Sequence, residues 1–356
     1  VSTDGSMQRE LSANVDLGRP NISVSDGTST SFVMPGTVKN GPFCDYLYIY
    51  GDRKTTNSPV ARVEFSKLTN TNQVLSGWKQ GPLEGGEGYG VSGLPGLDGK
   101  HYYLPDRPKT TGGGSQTMPA RELRAYDSGT NQSARVKASP IYTHGGGFDS
   151  NGLFWVGEYS VSKDKHPSDH KTFVLGTDPL RPDEGWYAVN IAGMTMRSGT
   201  DARITDLAFD SEGNLWLVGV PHTGGAVTNI FKVPASDLRA AAAKKVLAKV
   251  GIDNYPVVTA TNMTNGNAGG YATGKTYGLA FGPNDTMYIS QGNYVQRVDN
   301  VATGKTTLVA TFQQGGVDLA SCPMPSSAAS FKLRKSVVDP VTHKATPAGT
   351  TAANEL

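Results

Sequence analysis

ITDLAFDSEGNLWLVG, residues 204–219, decides the fold, because the chain repeats it. Recognisable copies are HGGGFDSNGLFWVGEY from His144 and TYGLAFGPNDTMYISQ from Thr276. In each, a Phe (Phe148, Phe209, Phe281) is followed seven positions later by a large aromatic (Trp155, Trp216, Tyr288), with Asp, Ser, Asn, Gly or Pro between them. An apolar strand, a polar reversing turn and a second strand rich in aromatic and β-branched residues together make an antiparallel hairpin. Two worn copies come earlier in the chain, NGPFCDYLYIYG (40–51) and VSGLPGLDGKHYYLP (91–105). In the first, Tyr46, Tyr48 and Tyr50 alternate with Leu47 and Ile49, as a strand covered on both faces would.

Further strands follow each copy. PVARVEFSK and NQVLSGWK come after the first, ARELRAYD and ARVKASPIY after the second, and KTFVLGTD and GWYAVNIAG after the copy at 144. TNIFKVP, a helical SDLRAAAAKK and VLAKV follow the copy at 204; NYVQRVD and TTLVATF follow the copy at 276. Each unit thus holds about four strands, and the anchors Leu97, Phe148, Phe209 and Phe281 recur at roughly 50 residues and more. A four-stranded unit at that period predicts an all-β fold, a β-propeller in which each sheet covers its neighbour. Six blades are expected, with five as the alternative, the ring being closed by strands from both chain ends. The propeller spans 1–325, with GGVDLASC near Cys322 left to be placed.

The 356 residues can bury a large core without many crosslinks, and 44 Gly and 21 Pro suit a turn-dense chain of short strands. A formal net charge of +2, with both signs interspersed, offers no basic stripe, so nucleic acid is a poor partner. No apolar run reaches the length of a membrane span, and VSTDGSMQRE lacks the parts of a secretion signal. Insertion into a membrane is not expected.

The two cysteines, Cys44 and Cys322, lie near opposite ends. They read either as two buried thiols or, preferably, as a disulfide that ties the ends of a closed ring and implies an oxidising compartment. From Ser326 the chain becomes Ser-, Thr-, Ala- and Pro-rich around one alternating strand, FKLRKSVV. Residues 326–356 are therefore read as a linker and the first strand of a truncated module, with an ordinary tail as the other option.

The hairpin LAFDSEGNLW resembles those of NHL, gluconolactonase and strictosidine-synthase-like propellers. The order DYLYIYG, VDLASCP, KLRKSVVDPVTHKATPAGT is similar to propeller-like heads of Gram-positive, especially actinobacterial, wall-linked surface proteins. That second resemblance implies an extracellular, wall-anchored adhesin whose head is followed by a stalk. The place of Lys335 on the stalk strand matches where such stalks carry an isopeptide lysine, but no partner module is present to receive it.

Gluconolactonase-like chemistry would need a divalent cation held by carboxylate and Asn ligands at the mouths of the inner strands. The positions just before the apolar triplets are Gly146, Asp206 and Gly278, of which only Asp206 is a hard ligand. No GxSxG elbow, Walker sequence or GxGxxG after a strand occurs, and His166 and His170 sit in a charged loop broken by Pro167. No cofactor is expected, apart from a structural calcium at TDPLRPDEG (177–185) or DSEGN (210–214), where an Asx-turn is the simpler reading.

Propeller geometry gathers the loops that lead into the inner strands and those joining second to third strands on one face. The candidate ligand-binding residues there are Glu87, Tyr89, His144, Glu158, Asp206, His222 and Tyr277, together with Tyr142, Tyr159, Asp201, Arg203 and Lys275. Aromatics with mixed polar groups suit a glycan or a protein loop. The expectation is a monomeric, non-catalytic binding head, with a metal-dependent lactonase or esterase as the competing reading.

Overall fold

The computed structural model describes residues 21–24, 32–35, 46–51, 60–68, 74–75, 100–103, 122–127, 130, 132–138, 143–149, 151–158, 172–196, 199, 202–221, 227–248, 254–264, 276–312 and 316–321. In chain order, β1 (Asn21–Val24) and β2 (Phe32–Pro35) form a small separate hairpin, followed by β3 (Tyr46–Gly51), β4 (Val60–Glu64) and β5 (Val74–Leu75). Then come β6 (His101–Tyr103), β7 (Glu122–Asp127), β8 (Gln132–Ala138), β9 (Thr143–Phe148), β10 (Phe154–Glu158), β11 (Thr172–Thr177) and β12 (Tyr187–Ala192). The second half holds β13 (Ala202–Phe209), β14 (Leu215–Pro221), β15 (Asn229–Val233), helix α1 (Ala235–Ala242), β16 (Val257–Thr259) and β17 (Thr261–Asn262). The last strands are β18 (Thr276–Phe281), β19 (Met287–Gln291), β20 (Tyr294–Asn300), β21 (Lys305–Phe312) and β22 (Gly316–Ala320).

Five sheets stand in a ring: β6-β7-β8, β9-β10-β11-β12-β16, β13-β14-β15-β17, β18-β19-β20-β21-β5 and β22-β3-β4. The molecule is a β-propeller of five blades, so the alternative holds, and no sixth blade forms among the described residues. The miscount has an identifiable source. NGPFCDYLYIYG reads in sequence as an inner hairpin of its own, yet β3 is the middle strand of the last blade, paired to β4 on one side and to β22 on the other. GVDLA supplies that blade's inner strand, so the N- and C-terminal segments make one blade and close the ring as anticipated. Leu47, Tyr48 and Ile49 are fully buried in β3, as the covered-strand pattern requires.

VLAKV is a second correction. Of that stretch residues 246–248 are described, and they make an isolated bridge between Leu247 and Tyr187; the fourth strand of the third blade is β17. The segment from α1 to β17 runs out to the second blade, lays β16 parallel on the edge of β12, and returns. β5 covers the edge of β21 in the same parallel manner. Both additions occupy backbone groups that an open edge would expose.

The core lies between blades rather than within them. Tyr102, Leu123, Phe148 and Trp186 pack first blade on second, and Trp155, Phe209, Leu217 and Phe231 pack second on third. Trp216, Val218, Phe281 and Ile289 pack third on fourth, while Tyr288, Val295, Leu47 and Leu319 pack fourth on fifth. The repeated Phe of each hairpin therefore faces the preceding blade and the aromatic seven residues later faces the following one. The Trp216 and Phe281 rings meet at 5.9 Å between centroids across one such boundary.

The turn inside the repeat explains the rest of the motif. Asp210 Oδ1 accepts the amides of Glu212 and Asn214 at 3.1 and 2.8 Å, and its Oδ2 accepts the Trp216 indole N–H at 2.8 Å. Asp149 does the same, with the amides of Asn151 and Leu153 on Oδ1 and the Trp155 indole on Oδ2. One carboxylate thus closes the turn and fixes the aromatic that packs on the next blade. The third copy has Gly282 at this place, and its turn instead sends Asp285 across to Ser211, bonding that residue's amide at 2.8 Å and its hydroxyl. Asp210→Ala should lower stability by roughly 2–4 kcal/mol because two amides and an indole lose their acceptor, whereas Trp216→Phe should cost about 1 kcal/mol. Urea unfolding of the two variants resolves that difference.

Candidate functional site

The inner strands are the place to look, since they ring the axis. Each of the four described around the second to fifth blades is bulged. The register skips Gly145 in β9, Thr205 in β13, Tyr277 in β18 and Val317 in β22. A bulge re-aims the residues beside it. Counted back from the turn, Gly145, Asp206, Gly278 and Asp318 occupy one station, so the residue equivalent to Asp206 in β9 is Gly145 and not Gly146. Glycine and carboxylate alternate from the second blade to the fifth.

The alternation is steric. A Cβ on Gly145, whose φ is +63°, would lie 2.2 Å from the Asp206 Cα and 2.5 Å from its Oδ1. One on Gly278 would lie 2.5 Å from the Leu319 amide nitrogen and 2.9 Å from the Asp318 carbonyl carbon. Between its two glycine neighbours the Asp206 carboxyl is fully buried and spans three blades. Its Oδ1 accepts the amides of Gly146 at 3.2 Å and Leu207 at 2.7 Å, and its Oδ2 accepts the amide of Leu279. Burial, and next the neighbouring Asp318 carboxyl, push Asp206 well above the ordinary carboxylate value of 3.8. Two carboxyls so placed hold a proton between them more cheaply than two charges.

Below this station the axis narrows to a void of about 20 Å³ lined by Gly147, Leu207, Leu279 and Leu319, room for about one water molecule. Above it, between the third and fourth blades, lies an uncharged network. Thr205 Oγ1 donates to the Thr276 carbonyl at 2.8 Å, Gln291 Nε2 donates to Thr276 Oγ1 at 3.2 Å, and the Thr228 and Thr276 hydroxyls are 3.1 Å apart. All four residues are buried.

The structure places the sequence candidates unevenly. Asp206 is in the packed centre and not at an open mouth, with both carboxyl oxygens engaged by backbone. Arg203 is partly buried on β13 opposite Val220. His144 pairs with Gly157 and Glu158 with Thr143, so these two stand one step apart at the open end of one hairpin, while Tyr277 is the bulged residue of β18. Glu87, Tyr89, Tyr142, Tyr159, Asp201, His222 and Lys275 lie outside the described residues, as do Cys44, Cys322, the histidine pair at 166 and 170, and 326–356. Tyr48 in β3 and Ala320 in β22 are directly opposite each other. Sequence reasoning missed Asp318 and Gly145, although ITDLA and GVDLA carry Asp318 in plain view.

The two acidic turns supply their own donors. Asp178 Oδ1 accepts the Leu180 amide, and Arg181 bonds Asp178 Oδ2 at 3.2 Å and Glu184 Oε1 at 2.8 Å, the position a cation would take. Asp210 is occupied as described above. Neither donor set fits calcium better than it fits a hydrogen-bonded turn. Among the described residues no group of three or more His, Cys, Asp or Glu side chains comes together, and no helix is long and apolar enough to cross a membrane.

No family model matches this chain, and no curated protein matches it. Among solved structures, it is similar to a protein of unknown function from Bacteroides caccae, at 10% identity and a TM-score of 0.35, over 74% of this chain and 71% of that one.

Because its folded pKa lies above its unfolded one, Asp206 contributes stability that is fully present below about pH 3.8 and is lost as pH rises through the folded value. Asp149, raised chiefly by burial, acts in the same direction. Asp206→Asn should therefore flatten, without abolishing, the fall in stability above pH 4, whereas Asp206→Ala, which strands three amides, should cost roughly 3 kcal/mol or more at every pH. Urea titrations between pH 4 and pH 8 check both; an unchanged pH slope in Asp206→Asn refutes the assignment.

Proposed function

We propose that this propeller is a non-catalytic binding head, displayed outside the cell, which holds a glycan or protein ligand at the open end of its inner strands. The observation that carries the reading is the commitment of Asp206. Its carboxyl, which shares the axis with that of Asp318, bonds the amides of Gly146, Leu207 and Leu279. A lactonase needs that carboxylate turned toward a metal and a water, and here each oxygen already accepts from backbone. Beside it stand the Asp318 carboxyl, which helps to raise its pKa, and a network of hydroxyls and amides suited to fixing strands. Display at a bacterial surface, as in the wall-linked heads that the chain resembles, belongs to the same proposal and rests on strand order and the cysteine pair.

Two experiments test it. A glycan and matrix-protein array should give a ligand whose binding survives a chelator, and purified protein should show neither stoichiometric divalent metal nor chelator-sensitive esterase turnover; metal with turnover would establish the lactonase instead. Intact mass before and after reduction should reveal one disulfide between Cys44 and Cys322, and two free thiols after oxidising purification would remove the support for an extracellular location.

A further inference from the structure

A groove of another kind lies away from the axis, on the face formed by the hairpin turns. A groove of about 300 Å³ opens there between the second and third blades, beneath α1. Ligand pockets begin at about this size. Its floor is apolar, formed by Leu153, Trp155, Phe209, Leu238 and Ala242. Its rim carries charges of two kinds. Asp178 and Glu184 are both spent on Arg181, and Glu184 also accepts the Tyr187 hydroxyl at 2.7 Å. Arg239 and Lys245 are exposed on the rim and make no close ion pair among the described residues, although Lys245 lies within electrostatic reach of Glu184.

Lys245 is held there at a cost. It ends the helical segment with φ +49°, a left-handed conformation in which glycine is the usual residue, while its amide bonds the Ala242 carbonyl at 2.9 Å. The result of keeping a lysine is that its ammonium sits 5.7 Å from the centroid of the Tyr187 ring, on the groove's rim. The equivalent groove between the third and fourth blades, beside Trp216 and Phe281, lacks this arrangement: its Arg297 is paired with Asp299 at 2.9 Å. The helical insertion therefore distinguishes one interblade groove from the next by adding a wall and two cations that make no close ion pair among the described residues.

We propose that the groove under α1 is a second binding site, separate from the open end of the inner strands, and takes a small aromatic anion: the ring lies on the floor of Leu153, Trp155 and Leu238, and the carboxylate lies between Arg239 and Lys245. An apolar floor alone would accept any flat ring. Two cations facing it favour the anion over its neutral or cationic counterpart, since a charge-assisted bond is about twice as strong as a neutral one. The site stands on its own and does not depend on what the inner-strand mouth binds.

Indole-3-acetate, indole-3-acetamide and tryptamine are the probes, titrated against the whole chain by calorimetry and by ligand-observed NMR. The acetate should bind at least about tenfold more tightly than the other two, and Arg239→Ala with Lys245→Ala should lose that preference, while Arg297→Ala in the neighbouring groove leaves it intact. Ala242→Phe, which fills the groove, should abolish binding of all three. Lys245→Gly separates function from folding: it should weaken binding of the acetate while the melting temperature stays the same or rises, because glycine relieves the left-handed backbone. Equal binding of the three probes, no binding of any, or undiminished preference in the Arg239 and Lys245 double variant would each overturn the proposal.

Discussion

The contact on which the ring depends is that of one carboxyl, Asp206, with the backbones of three blades. Inner strands on a propeller axis come close enough that side chains at one level compete for the same space. Here the competition is resolved by alternation, with glycine at 145 and 278 and carboxylate at 206 and 318. Each glycine yields the volume that its neighbour's carboxyl occupies, and in return the Asp206 carboxyl satisfies the amides of Gly146 and Leu279, which a bulged strand leaves without a ladder partner. Neither half works alone. A larger residue at 145 would strike the Asp206 backbone, and a smaller one at 206 would strand buried amides in a place with room for about one water.

The same economy governs the outer part of each hairpin. The turn carboxylate that ends the inner strand also holds the indole of the next, so a single acid closes the reversal and orients the side chain that packs on the following blade. Local turn chemistry and inter-blade packing are thereby one constraint, which explains why Phe, Asp and Trp recur together while the residues between them vary. Where the third copy gives up the acid, at Gly282, it ties its turn to the preceding blade through Asp285 and Ser211.

This accounts for what could be read from sequence. The Phe-to-aromatic spacing belongs to a single hairpin, so the propeller was legible, as was closure by both chain ends. The number of blades depended on whether Tyr46–Gly51 was the start or the middle of a sheet, a long-range pairing with Gly316–Ala320 that no local pattern states. Position 206 was legible as special, but its role was inverted. Seen alone, an acid before an apolar triplet looks like an open ligand; its burial comes from Gly145, Gly278 and Asp318 on other strands. The path of α1 was likewise hidden: the helix could be read from SDLRAAAAKK, whereas its excursion to the second blade depends on β16 finding the edge of β12.

Five blades also bear on where such a molecule can work. With one blade fewer than six, the inner strands stand nearer the axis, and polar groups that line an open channel in a wider ring become packing groups. The hydroxyls of Thr205, Thr228 and Thr276 and the carboxyl of Asp206 are in that position, buried and bonded to strand backbone or to each other. The Asp206 carboxyl is thereby a packing group of this ring. Recognition has more latitude at the ends of the inner strands and between blades, where an insertion such as α1 can add charge without disturbing the central alternation. Variation there costs the fold little, because Arg239 and Lys245 are exposed on the rim, away from the central alternation of Gly145, Asp206, Gly278 and Asp318.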